Sequence, residues 1–160
     1  MRRALLCLLL AGLLCLVSQA AFAADTATIT VTVTLQNIGV TVDPTSWPLG
    51  VVAPSSSSTS SFTAENTGNV NEDLTITTGN TTPSGWQPAA ASAVDYYRLE
   101  LGLGETPTWT DIVPPPDPLA STLAPGNTVD FDLRFTAPAP LSTFNADGET
   151  FTVTIAATAS

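Results

Sequence analysis

Histidine and lysine are absent from this 160-residue chain, and both cysteines, Cys7 and Cys15, lie near its beginning. Beyond residue 15 the chain therefore lacks an imidazole base, a thiolate, a Schiff-base amine and the ligands of a soft metal site. A serine nucleophile would have no base to activate it. Only carboxylate chemistry is left, and it needs a paired acid and base in a cleft. The composition predicts a protein that is not an enzyme.

The first 23 residues have the layout of a secretory signal peptide. Arg2 and Arg3 supply positive charge, Ala4–Val17 is an uninterrupted apolar run, and Ala21 and Ala23 are small residues at the recognition positions of a cleavage site. The run of 14 residues is short for a membrane span, which needs about 20. We expect cleavage after Ala23, export by the general secretory pathway and no stable membrane anchor afterwards.

Two alternatives concern the same segment. Cleavage after Ala24 is one of them. Lipidation at Cys15 is the other, although leucines occupy two of the upstream positions where lipoprotein signals have small residues. In either case the protein is expected outside the cytoplasm, in the medium or at the cell surface.

Removal of residues 1–23 leaves a domain, residues 24–160, without Cys, His, Lys or Met. Its basic side chains are Arg98 and Arg134, against 14 acidic residues, which gives a net charge of −12. Nucleic acids and anionic membranes both bind basic patches, so the charge argues against both partners. A chain of this length can bury one core without disulfide bonds.

Short runs with a period of two recur along the domain, separated by clusters of Pro, Gly, Asn and Ser, and we find no helical period. Ser55–Ser61 is predicted to be a polar connector, and Glu65–Asp73 a tight turn that pairs the strands on either side of it. Strands are predicted at Thr28–Leu35, Ile38–Val42, Phe62–Ala64, Leu74–Thr77, Tyr97–Leu101, Thr108–Val113, Val129–Phe135 and Phe151–Thr158. Trp47–Val52 is predicted to be extended and, because it contains a proline, to suit a sheet edge.

This spacing predicts an all-β fold: a single immunoglobulin-like β-sandwich of about seven to nine antiparallel strands over residues 24–160. Large apolar side chains on the inward faces are expected to form the core, since each contributes about 1.5–3 kcal/mol when buried. The predicted core residues are Phe62, Ile76, Phe131, Leu133, Phe135 and Phe151.

Three segments carry a resemblance to a known class. Phe62–Ile76 (FTAENTGNVNEDLTI), Leu123–Pro138 (LAPGNTVDFDLRFTAP) and Asp147–Ala159 (DGETFTVTIAATA) resemble immunoglobulin-like modules of bacterial secreted and cell-surface proteins. The shared features are an N-x-G-N turn between two strands and an L-x-P-G turn before a late strand. The resemblance implies a structural module of a surface or matrix, and it brings no catalytic residues with it.

Oxygen-bearing side chains crowd the turn that contains Asn69, Asn71, Glu72 and Asp73. Ca²⁺ binds several oxygens on one loop, which makes these four the candidate metal ligands. Their spacing does not follow the D-x-[DN]-x-[DN]-G pattern, and solvated turns commonly carry such residues. We expect no cofactor here, with Ca²⁺ as the alternative.

Trp47, Trp86 and Trp109 are the tryptophans of the chain, and each lies in or near a segment rich in Pro or Gly. Exposed aromatic rings beside acidic residues would suit stacking against sugars. Tryptophans at such positions also close the open ends of a sandwich. The first interpretation predicts a module that binds surface glycans or proteins, and the second predicts a structural role.

The segment Thr26–Leu35 alternates threonine with apolar residues at Ala27, Ile29, Val31, Val33 and Leu35. It can be the first strand of its own sandwich, or it can add to the sheet edge of a second copy of the chain. The leading functional hypothesis is a secreted, non-enzymatic subunit of an extracellular matrix, fibre or surface layer, with itself as the partner. A carbohydrate- or protein-binding module is the alternative.

Overall fold

The structure, a computed structural model, describes residues 28–142 and 145–160, and the chain divides into two units, residues 1–34 and residues 35–160. In the first unit, the described residues 28–34 form neither helix nor strand. The described part of the second unit contains nine strands and no helix. The strands are β1 (Val40–Asp43), β2 (Ser57–Asn66), β3 (Glu72–Thr78), β4 (Gln87–Pro88), β5 (Tyr96–Leu103), β6 (Thr108–Asp111), β7 (Asp117–Leu123), β8 (Thr128–Thr136) and β9 (Val153–Ala159).

The strands form two sheets around one hydrophobic core, an arrangement consistent with a β-sandwich. In the larger sheet the order is β1-β2-β8-β5-β4, and β6 also pairs with β5. The smaller sheet has the order β7-β3-β9. The ladders are antiparallel except the short one between β4 and β5, which is parallel. The predicted all-β class and number of strands are confirmed.

The core is built on the strand with the clearest alternation, β8. It lies between β2 and β5, and its inward-facing residues are buried against both sheets. Phe62 pairs with Phe131 across the β2–β8 ladder, and the two rings stack with centroids 5.6 Å apart. Five predicted core residues are buried and the sixth, Phe151, is half-buried against the same core. The five are Phe62, Ile76, Phe131, Leu133 and Phe135.

Tyr97 joins the two sheets at one end of the core. Its ring is fully buried and lies 4.9 Å from the Phe151 ring and 5.8 Å from the Phe135 ring, centroid to centroid. Its hydroxyl donates to the Gly79 carbonyl oxygen at 2.5 Å and shares a hydrogen bond with Thr78 Oγ1 at 2.8 Å. Burial raises the pKa of Tyr97, and the Thr78 contact offsets part of that rise. A buried polar group is thereby satisfied, as a well-packed core requires.

The predicted pairing of the two strands that flank the Glu65–Asp73 turn is wrong. β2 belongs to the larger sheet and β3 to the smaller one, so the turn crosses from one sheet to the other. The inward residues Ala64 and Leu74 are both fully buried in the common core. Alternation tells which face of a strand is buried, but it does not tell whether two successive strands lie side by side or face each other.

Two other boundaries differ from the prediction. Residues 57–61 of the predicted connector are the first half of β2, where the Ser61 hydroxyl donates to Asp132 Oδ1 at 2.6 Å. The strand predicted at Thr28–Leu35 is not formed, and the first strand begins at Val40. A polar run can form a strand when its hydroxyl groups bind side chains of the neighbouring strand. An alternating run forms a strand only when a sheet edge is available to pair with it.

The predicted signal peptide, residues 1–23, lies outside the described residues.

Candidate functional site

The apolar side chains of residues 28–35, called the N-terminal segment below, are exposed to solvent. Ile29 is 90% exposed, Val31 78%, Val33 74% and Leu35 81%. Ala27, the fifth residue of the predicted donor set, lies outside the described residues. Contiguous apolar surface of this kind marks an interaction site or an aggregation hazard in a soluble protein.

The main chain at residues 35–39 is held mainly by Asn69. Asn69 accepts a hydrogen bond from the Asn37 amide at 2.7 Å and donates one to the Leu35 carbonyl oxygen at 2.7 Å, both through its side chain. Its own amide donates to the Asn37 carbonyl oxygen at 3.0 Å, and Thr67 donates likewise to Gly39 at 2.8 Å. Residues 35–39 therefore run along the turn at residues 67–69 and lead directly into β1.

Beneath this turn, Asn66 and Glu72 are both fully buried. The Asn66 side chain donates to the Val70 and Leu123 carbonyl oxygens and accepts from the Gly68 amide. Glu72 Oε1 accepts from the Gly39 amide at 2.8 Å. A Cβ atom on Gly68 would lie 2.3 Å from Glu72 Oε1 and 2.5 Å from the Asn37 carbonyl oxygen, so only glycine fits there. The N-x-G-N motif thus anchors the chain that precedes β1.

The four candidate calcium ligands do not converge. Asn69 binds residues 35 and 37 through both atoms of its amide, and Asn71 is exposed. Glu72 and Asp73 are successive strand residues, so they point to opposite faces of the smaller sheet. Asp73 Oδ1 accepts from the Thr122 amide at 2.8 Å. Over residues 28–142 and 145–160, no three His, Cys, Asp or Glu side chains are grouped so that they could hold a metal ion.

The three tryptophans do not form one platform. Trp47 meets the Phe62 ring edge to face at 5.9 Å, and Trp86 packs against the core elsewhere. Trp109 lies on the outward face of the larger sheet, where the guanidinium of Arg134 is 4.3 Å from its ring centre. Trp47 and Trp86 therefore act as packing residues, and Trp109 is apart from both.

Trp109 lies over a cluster of charges that alternation did not predict. Glu100 is only 1% exposed, and its two oxygens receive the Arg134 guanidinium at 2.7 Å and 2.5 Å. Arg98 lies 3.0 Å from Glu100 Oε1 and donates to Asp111 Oδ1 at 2.5 Å. The hydrogen bond to Glu100 raises the pKa of Arg134. Both arginines of residues 24–160 are used here, so the described surface carries no free basic patch.

The edge strands of the two sheets differ in how they are protected. β9 pairs with β3 over seven residues without a register shift, and within the described residues its other edge has no ladder. Val153, Ile155 and Ala157 face the core but are only half-buried. β1, the edge of the other sheet, lies close to β9 and also has half-buried inward residues, Val40 and Val42. The described residues therefore leave the β1–β9 side of the sandwich incompletely covered.

A glutamate ties down the long loop between β3 and β4. Glu149 accepts hydrogen bonds from the Thr81 hydroxyl at 2.8 Å and from the Ser84 amide at 3.1 Å. Burial favours the neutral acid, but the hydrogen bonds from Ser84 and Thr81 outweigh it and hold the pKa of Glu149 below its ordinary value. The charged carboxylate thus fixes the loop.

We expect the stabilising effect of Glu149 to be lost in acid. Because its pKa is lower in the folded chain than in the unfolded one, the carboxylate stabilises the fold above the unfolded-state pKa and loses this effect as the pH falls through the folded-state pKa. The melting temperature of Glu149→Gln should lie below that of the unaltered chain at pH 7, and the gap should narrow below about pH 4. Glu105→Gln, at an exposed turn, is the control. A gap that stays constant with pH would contradict the assignment.

Comparisons of the chain with protein-family models and with curated proteins find no match to either. Within the described ranges there is no helix long and apolar enough to cross a membrane.

Proposed function

We propose that this protein is a secreted, non-enzymatic structural subunit that assembles with copies of itself outside the cell, in a matrix, a fibre or a surface layer. Residues 1–23 direct its export, and the sandwich has immunoglobulin-like topology. The observation that carries the proposal is the row of four exposed apolar side chains at Ile29, Val31, Val33 and Leu35.

The energetics favour covering that row with a partner strand. Burial of four such side chains contributes roughly 6–12 kcal/mol, at about 1.5–3 kcal/mol each. Association itself costs about 4–15 kcal/mol, so side-chain burial alone gives little surplus. Addition to a sheet edge supplies main-chain hydrogen bonds as well as pockets for alternate side chains. Strand addition is therefore the association mode that suits this segment best.

Composition supports the same role. Residues 24–160 contain no His, Cys or Lys, so acid–base, thiolate and Schiff-base catalysis lack their usual groups. The net charge of −12 makes copies repel each other at low ionic strength, and salt screens this repulsion. A subunit of this kind should stay dispersed in dilute buffer and assemble when salt is added.

Sedimentation of the chain from residue 24 onward, over a series of protein concentrations, tests this proposal. We expect oligomers or fibres whose fraction rises with concentration and increases between about 0.01 M and about 0.5 M salt, where the screening length falls severalfold. Electron microscopy of the same samples distinguishes ordered fibres from amorphous aggregate. A chain that remains monomeric at the highest concentration and the highest salt would refute self-assembly.

A further inference from the structure

We propose that the acceptor for the N-terminal segment is the outer edge of β9 in a second copy of the chain, to which residues 28–35 add as a new strand of the smaller sheet. This inference rests on the proposed function and specifies its interface. It follows from the state of the sheet edges, from the match between the two segments and from the presence of both surfaces on every copy.

β9 is the edge that has none of the usual protections. Edge strands of monomeric proteins are typically short, charged, interrupted by proline or bulged, because a long apolar edge pairs with other chains. β9 has seven residues in unbroken register with β3, and Val153–Ala159 contains neither a charge nor a proline. Its inward residues remain half-buried. Such an edge is expected to be paired in the functional state.

The other edges are protected. β7 contains Pro118, begins at Asp117 and has two register shifts against β3. β1 and β6 have four residues each, and β6 ends at Asp111, which binds Arg98. β4 has two residues, one of them Pro88. Because each of these edges already discourages pairing, β9 is the best acceptor of the sandwich.

The two segments match in pattern, and the alternating run is long enough for the whole edge. Thr26–Leu35 has ten residues, and β9 has seven, which span about 23 Å. In β9, residues 154, 156 and 158 are exposed and residues 153, 155 and 157 are half-buried. Residues 28–35 alternate in the same way, with threonines between apolar residues. Threonines on neighbouring strands stabilise one another on the solvent face. The apolar face of the added strand would cover the open β1–β9 side, where Val40, Val42 and Ile155 are half-buried.

The proposed function, in which copies of the chain assemble with one another, makes a second copy the partner. Each copy offers an exposed alternating segment, residues 28–35, and a β9 edge that no described strand pairs. The segment and the edge are different surfaces, so each contact leaves one free segment and one free edge for the next copy, as in a head-to-tail fibre.

Single-cysteine variants map this interface, since residues 24–160 contain no cysteine. Chains with Thr30→Cys, Thr32→Cys or Thr34→Cys are each mixed with a differently tagged Thr154→Cys chain and oxidised under assembling conditions. We expect one of the three mixtures to give the mixed disulfide dimer at least about tenfold faster than the matched mixture with Ser121→Cys on β7, because pairing raises the local thiol concentration to roughly millimolar. The side chains at all five substituted positions are exposed, so we expect each variant to keep the fold.

Two results would overturn the inference while the proposed function stands: assembly with equal cross-linking to β9 and β7, or assembly without any cross-link to Thr154→Cys. A third result tells whether the segment that pairs with β9 belongs to the same chain or to a second copy. If the double variant Thr32→Cys, Thr154→Cys closes a disulfide within one chain at high dilution, the segment covers its own β9 and the inference is wrong. If the unaltered chain does not assemble at all, the proposed function itself fails.

Discussion

The chain carrying both Val31→Asp and Val33→Asp will stay monomeric at concentrations where the unaltered chain assembles. Both side chains point to the face that must be covered, and a buried, unpaired carboxylate costs several kcal/mol. The cost of burying two carboxylates exceeds the net free energy of association that burial of the remaining apolar residues can provide. Sedimentation velocity at matched concentration and salt measures the result, which we expect to be complete loss of the assembled fraction.

The control places the same charges on the opposite face. Thr30→Asp with Thr32→Asp changes the net charge equally, but these side chains face solvent in the proposed strand. We expect weaker assembly in dilute buffer and recovery at about 0.5 M salt, because exposed charges are screened. Both variants should melt at the temperature of the unaltered chain, since Val31 and Val33 are already exposed in the monomer. Equal behaviour of the two variants would contradict a strand with one buried face.

The second prediction concerns the stabilising ion pair between Arg134 and Glu100, which lies beside Trp109. Arg134→Met should lower the free energy of unfolding by about 3 kcal/mol, because Glu100 would then keep a buried charge with only Arg98 near it. Methionine retains packing against the Trp109 ring, so the loss reports on the charge. For a domain of this size the melting temperature should fall by roughly 6–12 °C.

A double variant separates the charge effect from packing. Glu100→Met combined with Arg134→Met removes both partners, and replacing a buried ion pair by apolar residues is often close to neutral. We expect the double variant to recover most of the stability that Arg134→Met loses, by chemical denaturation at pH 7. Arg98→Met should cost about 1 kcal/mol or less, because Glu100 keeps its bidentate partner. A double variant as unstable as the single one would show that the arginine acts through packing.

Much of the core was predictable because alternation of apolar and polar residues is visible within a single strand. Val129, Phe131, Leu133 and Phe135 alternate with charged residues along β8, and this pattern alone identifies the buried face. The N-x-G-N motif was likewise recognisable as a turn. Its role in holding residues 35–39 was not, because that role depends on hydrogen bonds from Asn69 to residues more than 30 positions earlier.

Alternation failed where a neighbouring element decided the environment. Alternation along the strand predicted at Tyr97–Leu101 places Glu100 on the outward face, and it does face outward, but Trp109, Arg98 and Arg134 cover it. Ser57–Ser61 was predicted to be a connector, yet it is a strand because β8 offers hydroxyl and carboxylate partners to its serines. In both cases one deciding contact comes from β8, far away in the chain: Arg134 binds Glu100, and Thr136 and Asp132 bind the serines of β2.

The amino-acid sequence by itself determined the all-β class, the inward faces of the main strands and the residue types that residues 24–160 lack, since composition and a period of two can be read from the sequence directly. The tertiary structure alone decided that β2 and β3 lie in opposite sheets, that the candidate metal ligands Asn69 and Asp73 are hydrogen-bonded to distant main chain, and that the tryptophans are separated. It also decided that, within residues 28–142 and 145–160, Ile29, Val31, Val33 and Leu35 are exposed and the outer edge of β9 has no pairing strand. These are consequences of which strands are neighbours, and neighbours are set by the packing of the whole core.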